Sequence, residues 1–472
     1  MRPYHLLVPS ENIALSDKNT KLTYNDFIKE IHKINAWYKE QGYHAGHRIS
    51  VVGINSVHTY LYLFAAALDM CATTLPWGNN LKKAYKNGED GDWKFRLDAN
   101  KSNAIVYVNL DGTVDLEHLH YEKSSVLDKE IMLYYSSGTS HPYGWTKSYP
   151  VPYELDKNNY GTSQDVTHYY RERGNKWYRS PETNRTINSM GPYIGWGQEV
   201  TFTTIAKGGH CHLIYEQEEY AEAAKWVKPT WLAGFPLAWQ KVIDKGDNGG
   251  HSIKVFEYSG AALIDGQKEE FEKFFGHSNW ICGYGDAATG MTLVNYSNNF
   301  DTIGKPVDCL VNSGAEYRLS KENSTIEFRG PMTPDGDWWD TGDIAEINEE
   351  GNWILKGRSN ELIIVRGGGK VYPFEVEHII SQHPGVKEVY VYPQPDEDLH
   401  FVPACIYNGD VSPQELQEWC KDKMQLFKQP VKYTSLVSTV AILRQATCIP
   451  KVSRVNIHNT LIDNPDWIKN NE

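Results

Sequence analysis

Residues 338–377 read Trp-Trp-Asp-Thr-Gly-Asp-Ile-Ala-Glu-Ile-Asn-Glu-Glu-Gly-Asn-Trp-Ile-Leu-Lys-Gly-Arg-Ser-Asn-Glu-Leu-Ile-Ile-Val-Arg-Gly-Gly-Gly-Lys-Val-Tyr-Pro-Phe-Glu-Val-Glu, and the fold is decided here. The pattern predicts strand, tight turn, strand, turn, strand, then a glycine loop entering a helix. Ile344–Ile347 and Trp353–Leu355 are short apolar runs split by Asn348-Glu349-Glu350-Gly351-Asn352, a hairpin signal. Leu362–Val365 is a further β-type run. Pro373 suits a first helical turn, with Glu375 and Glu377 near the positive end of that helix.

The order Thr-Gly-Asp, hairpin, Gly-Arg, glycine loop and Pro-x-Glu-Val-Glu resembles the acyl-adenylate-forming superfamily, and the Val-Tyr-Pro after the loop looks most like its acyl- and aryl-CoA ligase branch. The resemblance implies that Asp343 accepts from both ribose hydroxyls of ATP; a carboxylate is an acceptor-only group with two oxygens, which suits a vicinal diol. It implies Arg358 near the ribose, Asn360 as a hinge where the family more often has Asp or Lys, and Gly367 and Gly368 beside a thiol tunnel. The plainer alternative is that Asp343 and Arg358 merely brace the hairpin.

Other segments extend the likeness. Leu22-Thr23-Tyr24 resembles the amino end of the superfamily, and Thr23 or Asn25 is placed to cap a helix with apolar positions Phe27, Ile31, Ile34 and Trp37. Ile49–Ile54 and Ala72–Leu75 read as strands around a helix at Thr59–Met70, an alternation that implies a parallel, doubly wound sheet. The strand Ile131–Tyr135 runs into Ser136-Ser137-Gly138-Thr139-Ser140, a hydroxyl- and glycine-rich turn suited to cradling phosphate with backbone N–H groups. No Walker loop is present. The turn resembles the superfamily's own phosphate loop, one residue short, with His141 for glycine and Tyr143 for lysine; Lys147 lies nearby.

Farther on, Val255–Tyr258 is a strand ending at Ser259-Gly260-Ala261, where the resemblance places backbone, Gly260 and Ala261 included, against adenine; glycine permits that approach. Gly283-Tyr284-Gly285-Asp286-Ala287-Ala288 resembles Gly-Tyr-Gly-x-Thr-Glu, with Tyr284 and Gly285 at the adenine. The metal-binding Glu of the family is Ala288 here, which leaves Asp286 as the candidate Mg²⁺ ligand. The segment Asn188–Gly197 holds no carboxylate to pair with an α-ammonium group, which disfavours an amino-acid substrate. Ile303–Pro306 and Ile326–Pro331 are expected in a β-rich third subdomain. Near the end, Pro450-Lys451-Val452-Ser453-Arg454 resembles Gly-Lys-Val-x-Arg, so Lys451 matches the lysine that completes the adenylation site.

The expected fold is α/β: a large N-terminal domain over 1–358, made of two doubly wound subdomains and a β-rich one, and a small mobile α+β domain over 359–472. A length of 472 residues suits this division, and 40% hydrophobic content supports a large core. A net charge of −13 argues against a broad nucleic-acid surface. The seven cysteines are scattered without a Cys-x-x-Cys pair and read as reduced structural thiols. No run is long and apolar enough to span a bilayer and no signal peptide is seen, so a cytoplasmic location is expected.

The resemblance therefore implies ATP-dependent activation of a small carboxylic acid, with Mg²⁺, and transfer to the thiol of CoA or of the phosphopantetheine on an acyl-carrier protein. Two other readings stand beside it. One is a degenerate nucleotide- or acyl-binding paralog, suggested by Tyr143, Ala287 and Ala288; the other is an adenylating ligase with an amine acceptor.

Overall fold

The computed structural model describes residues 3–76, 102–109, 111–119, 130–135, 148–152, 184–250, 253–260, 265–276, 279–286, 290–297, 299, 301–308, 311, 314–330, 337–365 and 369–435. Among these residues two parallel-cored sheets dominate. The first has nine strands in the order Lys305–Pro306, Gly290–Asn295, Asn279–Asp286, Val255–Ser259, Trp231–Gly234, Arg185–Asn188, His210–Leu213, Ile13–Ser16 and Lys21–Thr23. Its six central strands run parallel, and antiparallel strands close both ends. The second has six strands, with Arg48–Gly53 and Cys71–Pro76 at its centre. Central strands such as Trp231–Gly234 and His210–Leu213 are buried at every position, as expected of parallel strands covered on both faces.

Helices form where the sequence supplies caps. Thr23 is the N-cap of Tyr24–Glu40 and accepts from the Asp26 N–H, which decides between the two capping candidates; Phe27 and Ile31 are buried, while Ile34 and Trp37 pack at the rim. Ser56 caps Val57–Asp69 in the same way. Helix Gly195–Ala206 is buried on nearly all sides and packs between the first sheet and the helix Val57–Asp69, with Asn188 Nδ2 donating to Gly197 O at 2.9 Å and Tyr60 OH donating to Gly197 O at 3.3 Å. Cys211 and Cys282 are buried, and burial pushes both thiols up to about 12, in keeping with structural rather than reactive cysteines.

A four-stranded antiparallel sheet follows: Glu316–Leu319, Thr325–Arg329, Trp339–Ile347 and Trp353–Arg358. Trp339–Ile347 is one strand, longer than the run Ile344–Ile347 read from the sequence, and Gly342 takes φ 72° within it, next to a register shift at Ile344/Ala345. A glycine that can adopt this φ lets the strand bulge and re-aim the following side chain. Lys305–Pro306 joins the edge of the nine-stranded sheet rather than the β-rich subdomain, although its neighbour Gly304 bridges to Trp353 of that subdomain.

After Ser359–Glu361, one exposed turn of 3₁₀ helix, the chain builds a separate core from Ile363, Val371, Val376, Ile380, Val391, Tyr407, Leu416 and neighbours. The glycine run does not lead straight into the helix. Gly369–Val371 is a strand paired antiparallel with Ile363–Val365, and only then does Pro373 open the helix Pro373–Ser381 at its first position. Glu375 sits in that first turn and pairs with Lys428 at 2.7 Å. Glu377 instead reaches across to accept from the Val391 N–H at 2.7 Å. The hairpin Val386–Asp396 with His400–Gly409 and the helix Pro413–Lys421, which carries a full capping box on Ser412 and Glu415, complete an α+β unit. Among the described residues no helix is long and apolar enough to cross a membrane.

The Gly304–Trp353 bridge ties the large sheet to the β-rich sheet. Ile303 N–H donates to Trp353 O and Trp353 N–H to Gly304 O, each at 2.8 Å. Gly304 has φ 86°, and an added Cβ would lie 2.0 Å from Val294 O. Gly304→Ala is therefore expected to cost about 2 kcal/mol or more, from the left-handed backbone penalty plus the clash. Calorimetry should show the main transition several degrees lower, and an unchanged transition would show that the bridge does not hold the two sheets in register.

Candidate active site

At the carboxyl end of the parallel strands, three side chains expected at a nucleotide meet. Asp343 lies opposite Arg358 in the hairpin register. Arg358 Nε donates to Asp343 Oδ1 at 2.6 Å, and Tyr284 OH donates to Asp343 Oδ2 at 2.7 Å. Asp343 and Tyr284 are each 8% exposed. The strand positions the carboxylate from behind as well: its backbone N–H donates to Thr341 Oγ1 at 3.2 Å, and Thr341 Oγ1 donates to Ile326 O at 3.0 Å.

Burying a carboxylate is costly unless it is paired and hydrogen-bonded, and here both oxygens are met by donors. Burial opposes the Arg358 charge. The Asp343 carboxylate and its hydrogen bond outweigh that, with help from Tyr284 and Glu361, and the Arg358 pKa is raised above its ordinary value. The guanidinium side chain is still 32% exposed, so one face reaches solvent. Asp343 and Arg358 do brace the hairpin, and they also fasten it to another sheet. Tyr284 comes from the strand Asn279–Asp286 and packs with Leu293, Ile326, Ala345 and Trp353 at the seam.

Beside this cluster the backbone is bare. Ser259 pairs with Gly283, and Gly260 follows with φ 74°. Gly260 and Gly285 are both exposed. A flat ligand could approach main chain here without meeting side chains. Asp286 ends its strand opposite Gly290. The Asp286 side chain, Ala261, Ser136, Ser137, Gly138, Thr139, Ser140, Gly367, Gly368 and Lys451 lie outside the described residues, as do Tyr143, Lys147, Ala287 and Ala288. Among the described residues no group of three or more His, Cys, Asp and Glu could hold a metal ion.

One polar group near the site escaped the sequence reading. Glu257, in the strand Val255–Ser259, is 0% exposed and accepts from Trp196 Nε1 at 3.4 Å. The signal available was a lone carboxylate inside the apolar run Val255-Phe256-Glu257-Tyr258. Asn188–Gly197 does lack a carboxylate, as read, but a neighbouring strand brings one against it.

Residues 375–442 match the family model described as AMP-binding enzyme C-terminal domain. An uncharacterized acyl-CoA ligase, YhfT of Bacillus subtilis, is 22% identical over 483 residues, covering 89% of this chain and 90% of the relative. The chain is thus similar to acyl-CoA ligases. The 2-succinylbenzoate–CoA ligase of Escherichia coli is 27% identical over 202 residues, so the match spans 39% of this chain and 42% of that relative's length. The solved o-succinylbenzoate CoA synthetase of Bacillus subtilis, in complex with its acyl-adenylate intermediate, superimposes with a TM-score of 0.75 at 17% identity, over 97% of this chain and 98% of that one. That likeness establishes a shared fold, a large N-terminal part followed by a small C-terminal one.

The three-residue cluster makes a direct prediction. Tyr284→Phe removes one donor to a buried carboxylate and is expected to cost about 1.5–3 kcal/mol. On an Asp343→Asn background the same change should cost at least about 1 kcal/mol less, because the charge it serves is gone. Thermal unfolding of the four proteins in the cycle measures this coupling. Simple additivity would mean that the phenol and the carboxylate do not support each other.

Proposed function

We propose that this chain uses ATP to convert a carboxylic acid into an acyl-adenylate and then passes the acyl group to a thiol, that of CoA or of a carrier-bound phosphopantetheine. The observation that carries the reading is the Tyr284–Asp343–Arg358 cluster beside the bare backbone of Gly260 and Gly285, at the strand ends where open α/β sheets bind ligands. A paired carboxylate keeps further lone pairs, so Asp343 can accept from a ribose diol while held by Arg358 and Tyr284. The Tyr284 ring is anchored by its hydroxyl and suited to line the adenine position.

The chemistry requires charge neutralisation rather than a protein nucleophile. One carboxylate oxygen of the acid attacks the α-phosphorus of ATP, a P–O bond forms, and pyrophosphate departs with the electron pair of the broken bond. The serine-rich turn 136–140 is assigned to cradle the phosphates, and Lys451 to bridge the α-phosphate and the acid's carboxylate, which lowers the barrier electrostatically. Asp286 supplies the hard oxygen that Mg²⁺ favours. Bound there together with phosphate oxygens, the ion would neutralise charge on the leaving group.

The second half-reaction needs Lys451 withdrawn and Gly367 and Gly368 brought to the thiol. A pivot at Asn360 accommodates this, with the boundary at 358/359. Supporting it, Ser359 and Asn360 are exposed, and the core that begins at Ile363 is built from residues of the C-terminal part.

The test of the function is acid-dependent pyrophosphate release across a panel of fatty, aryl and amino acids. Release with at least one class is expected. ATP binding without release for any acid would favour a degenerate nucleotide-binding paralog, and release without thioester but with amide would favour an amine acceptor. Lys451→Ala is expected to lower ATP–pyrophosphate exchange by about 10²-fold or more, as loss of a charge-stabilising group does. It should leave thioester formation from supplied acyl-AMP largely intact, and normal exchange in this variant would remove Lys451 from the role.

A further inference from the structure

We propose that Ser16, His210 and His212 form an acid-sensitive lock, which fastens the N-terminal hairpin 13–23 to the nine-stranded sheet and releases it when the imidazoles take up protons. The lock is separate from the nucleotide cluster and does not rest on the acyl-adenylate reading.

Its geometry is specific. Ile13–Ser16 and Lys21–Thr23 are the last two strands of the sheet, and Ile13–Ser16 joins them to its body by pairing parallel with His210–Leu213. The register sets Ser16 beside His212, and His210, two residues earlier, shares that face. Ser16 Oγ lies 2.6 Å from His210 Nε2 and 2.8 Å from His212 Nδ1. All three residues are buried, Ser16 completely. The Trp226 ring lies against both imidazoles, at 5.5 and 5.1 Å between centroids, and the Lys21 ammonium sits 4.0 Å from the centre of that indole.

One hydroxyl serves two rings. A serine O–H has one proton and two lone pairs, so Ser16 can donate to one ring nitrogen while accepting from the N–H of the other. This requires a lone pair on one of the two imidazoles. Protonating that ring turns the lone pair into a second N–H aimed at the serine, whose own proton then loses its acceptor. Protonating either ring also sets a positive charge in a buried site.

The surrounding charges do not rescue it. Burial is the main effect on both rings and lowers His210 to about 3 and His212 to about 4. At His210 the other imidazole, Lys21 and Arg185 push the same way. At His212 the carboxylates of Asp17 and Glu219 oppose the shift and Lys21 adds to it, while Lys18 holds Glu219 in an ion pair at 2.6 Å. His58 touches the same hairpin from the helix Val57–Asp69, through Thr20 Oγ1 at 3.3 Å. With the hairpin released, His210 and His212 return towards the ordinary value of 6.5 and bind protons that the closed form refuses. The lock is therefore at full strength above about pH 6.5 and is lost progressively as pH falls from there towards about 4.

Release reaches past the hairpin. Asp17, next to Ser16, accepts from the Asn19 and Thr20 N–H groups at 2.9 and 2.7 Å, and its other oxygen accepts from the Val57 N–H at 2.9 Å. It thereby ties the hairpin turn to the first residue of the helix that connects the two central strands of the six-stranded sheet.

The experiment is hydrogen–deuterium exchange of the full chain at about pH 7.5 and about pH 5, read by mass spectrometry and corrected for the intrinsic pH dependence of exchange. Peptides from 13–23 report the lock, and peptides from Trp231–Gly234 and Val255–Ser259 report the sheet centre. In wild type the opening constant of 13–23 is expected to rise about tenfold or more on acidification, beyond any change at the sheet centre. His210→Gln and His212→Asn keep a polar atom near Nε2 and Nδ1 respectively but do not titrate, and the double variant should lose the excess. If the double variant does not fold, either single variant carries the test and should lower the excess about threefold or more. No excess opening of 13–23 in wild type overturns the proposal without need of a variant. An excess that persists in a folded double variant, or stays unchanged in a folded single one, assigns the acid sensitivity to another group such as His58 and overturns it as well.

Discussion

A single carboxylate holds the geometry of the site together. Asp343 is drawn into the protein at a seam where a strand of the large sheet meets the β-rich hairpin. Its burial is sustained by donors from both, Tyr284 on one side and Arg358 on the other. If either donor were absent, a desolvated charge would be left with half its partners. The requirement works in both directions. It fixes where the tyrosine ring must stand, and it fixes how the hairpin docks on the sheet, with the Gly304–Trp353 bridge holding the same seam by main-chain bonds.

Much of this was legible in the sequence, for identifiable reasons. Parallel strands such as Arg48–Gly53 are buried on both faces and read as largely apolar, β-branched runs, while Thr23 and Pro373 mark helix starts through local chemistry that needs no tertiary context. Features set by distant partners were harder to see. Ile344–Ile347 reads as a short run, yet the strand starts at Trp339, because neighbouring strands pair with it on both sides and continue the ladder past Gly342. The glycine run before Lys370 looks like a loop into a helix, yet Gly369 pairs with Val365. Lys305–Pro306 follows β-rich neighbours in sequence but is captured by the edge of another sheet. Glu257 was the deepest of these omissions. Its strand was evident, but that its side chain turns towards Trp196, which arrives from a separate helix, is a fact of assembly.

Three buried or nearly buried acids show how differently one functional group is used within this fold. Glu377 is spent on the backbone: it caps the Val391 N–H and so closes a helix onto a hairpin in the C-terminal unit. Asp343 meets a guanidinium and a phenol, strong partners that orient it rigidly while leaving acceptor capacity towards the exposed glycine backbone. Glu257 meets an indole N–H at 3.4 Å, a longer contact than either of those.

The placement of Gly260 directly after the strand Val255–Ser259 has a mechanical consequence. A strand in the middle of a parallel sheet is clamped by ladders on both sides, here to Trp231–Gly234 and to Asn279–Asp286. The position of the main chain that leads into Gly260 is then set by the clamped strand, not by loop packing. By contrast, Lys451 and the glycines at 367 and 368 belong to the part beyond the exposed Ser359–Glu361 turn. Under the proposed function, recognition is thus carried by a rigid element and the change between half-reactions by a separable one. That separation allows the two demands, a fixed nucleotide seat and a moving charge, to be met within one chain.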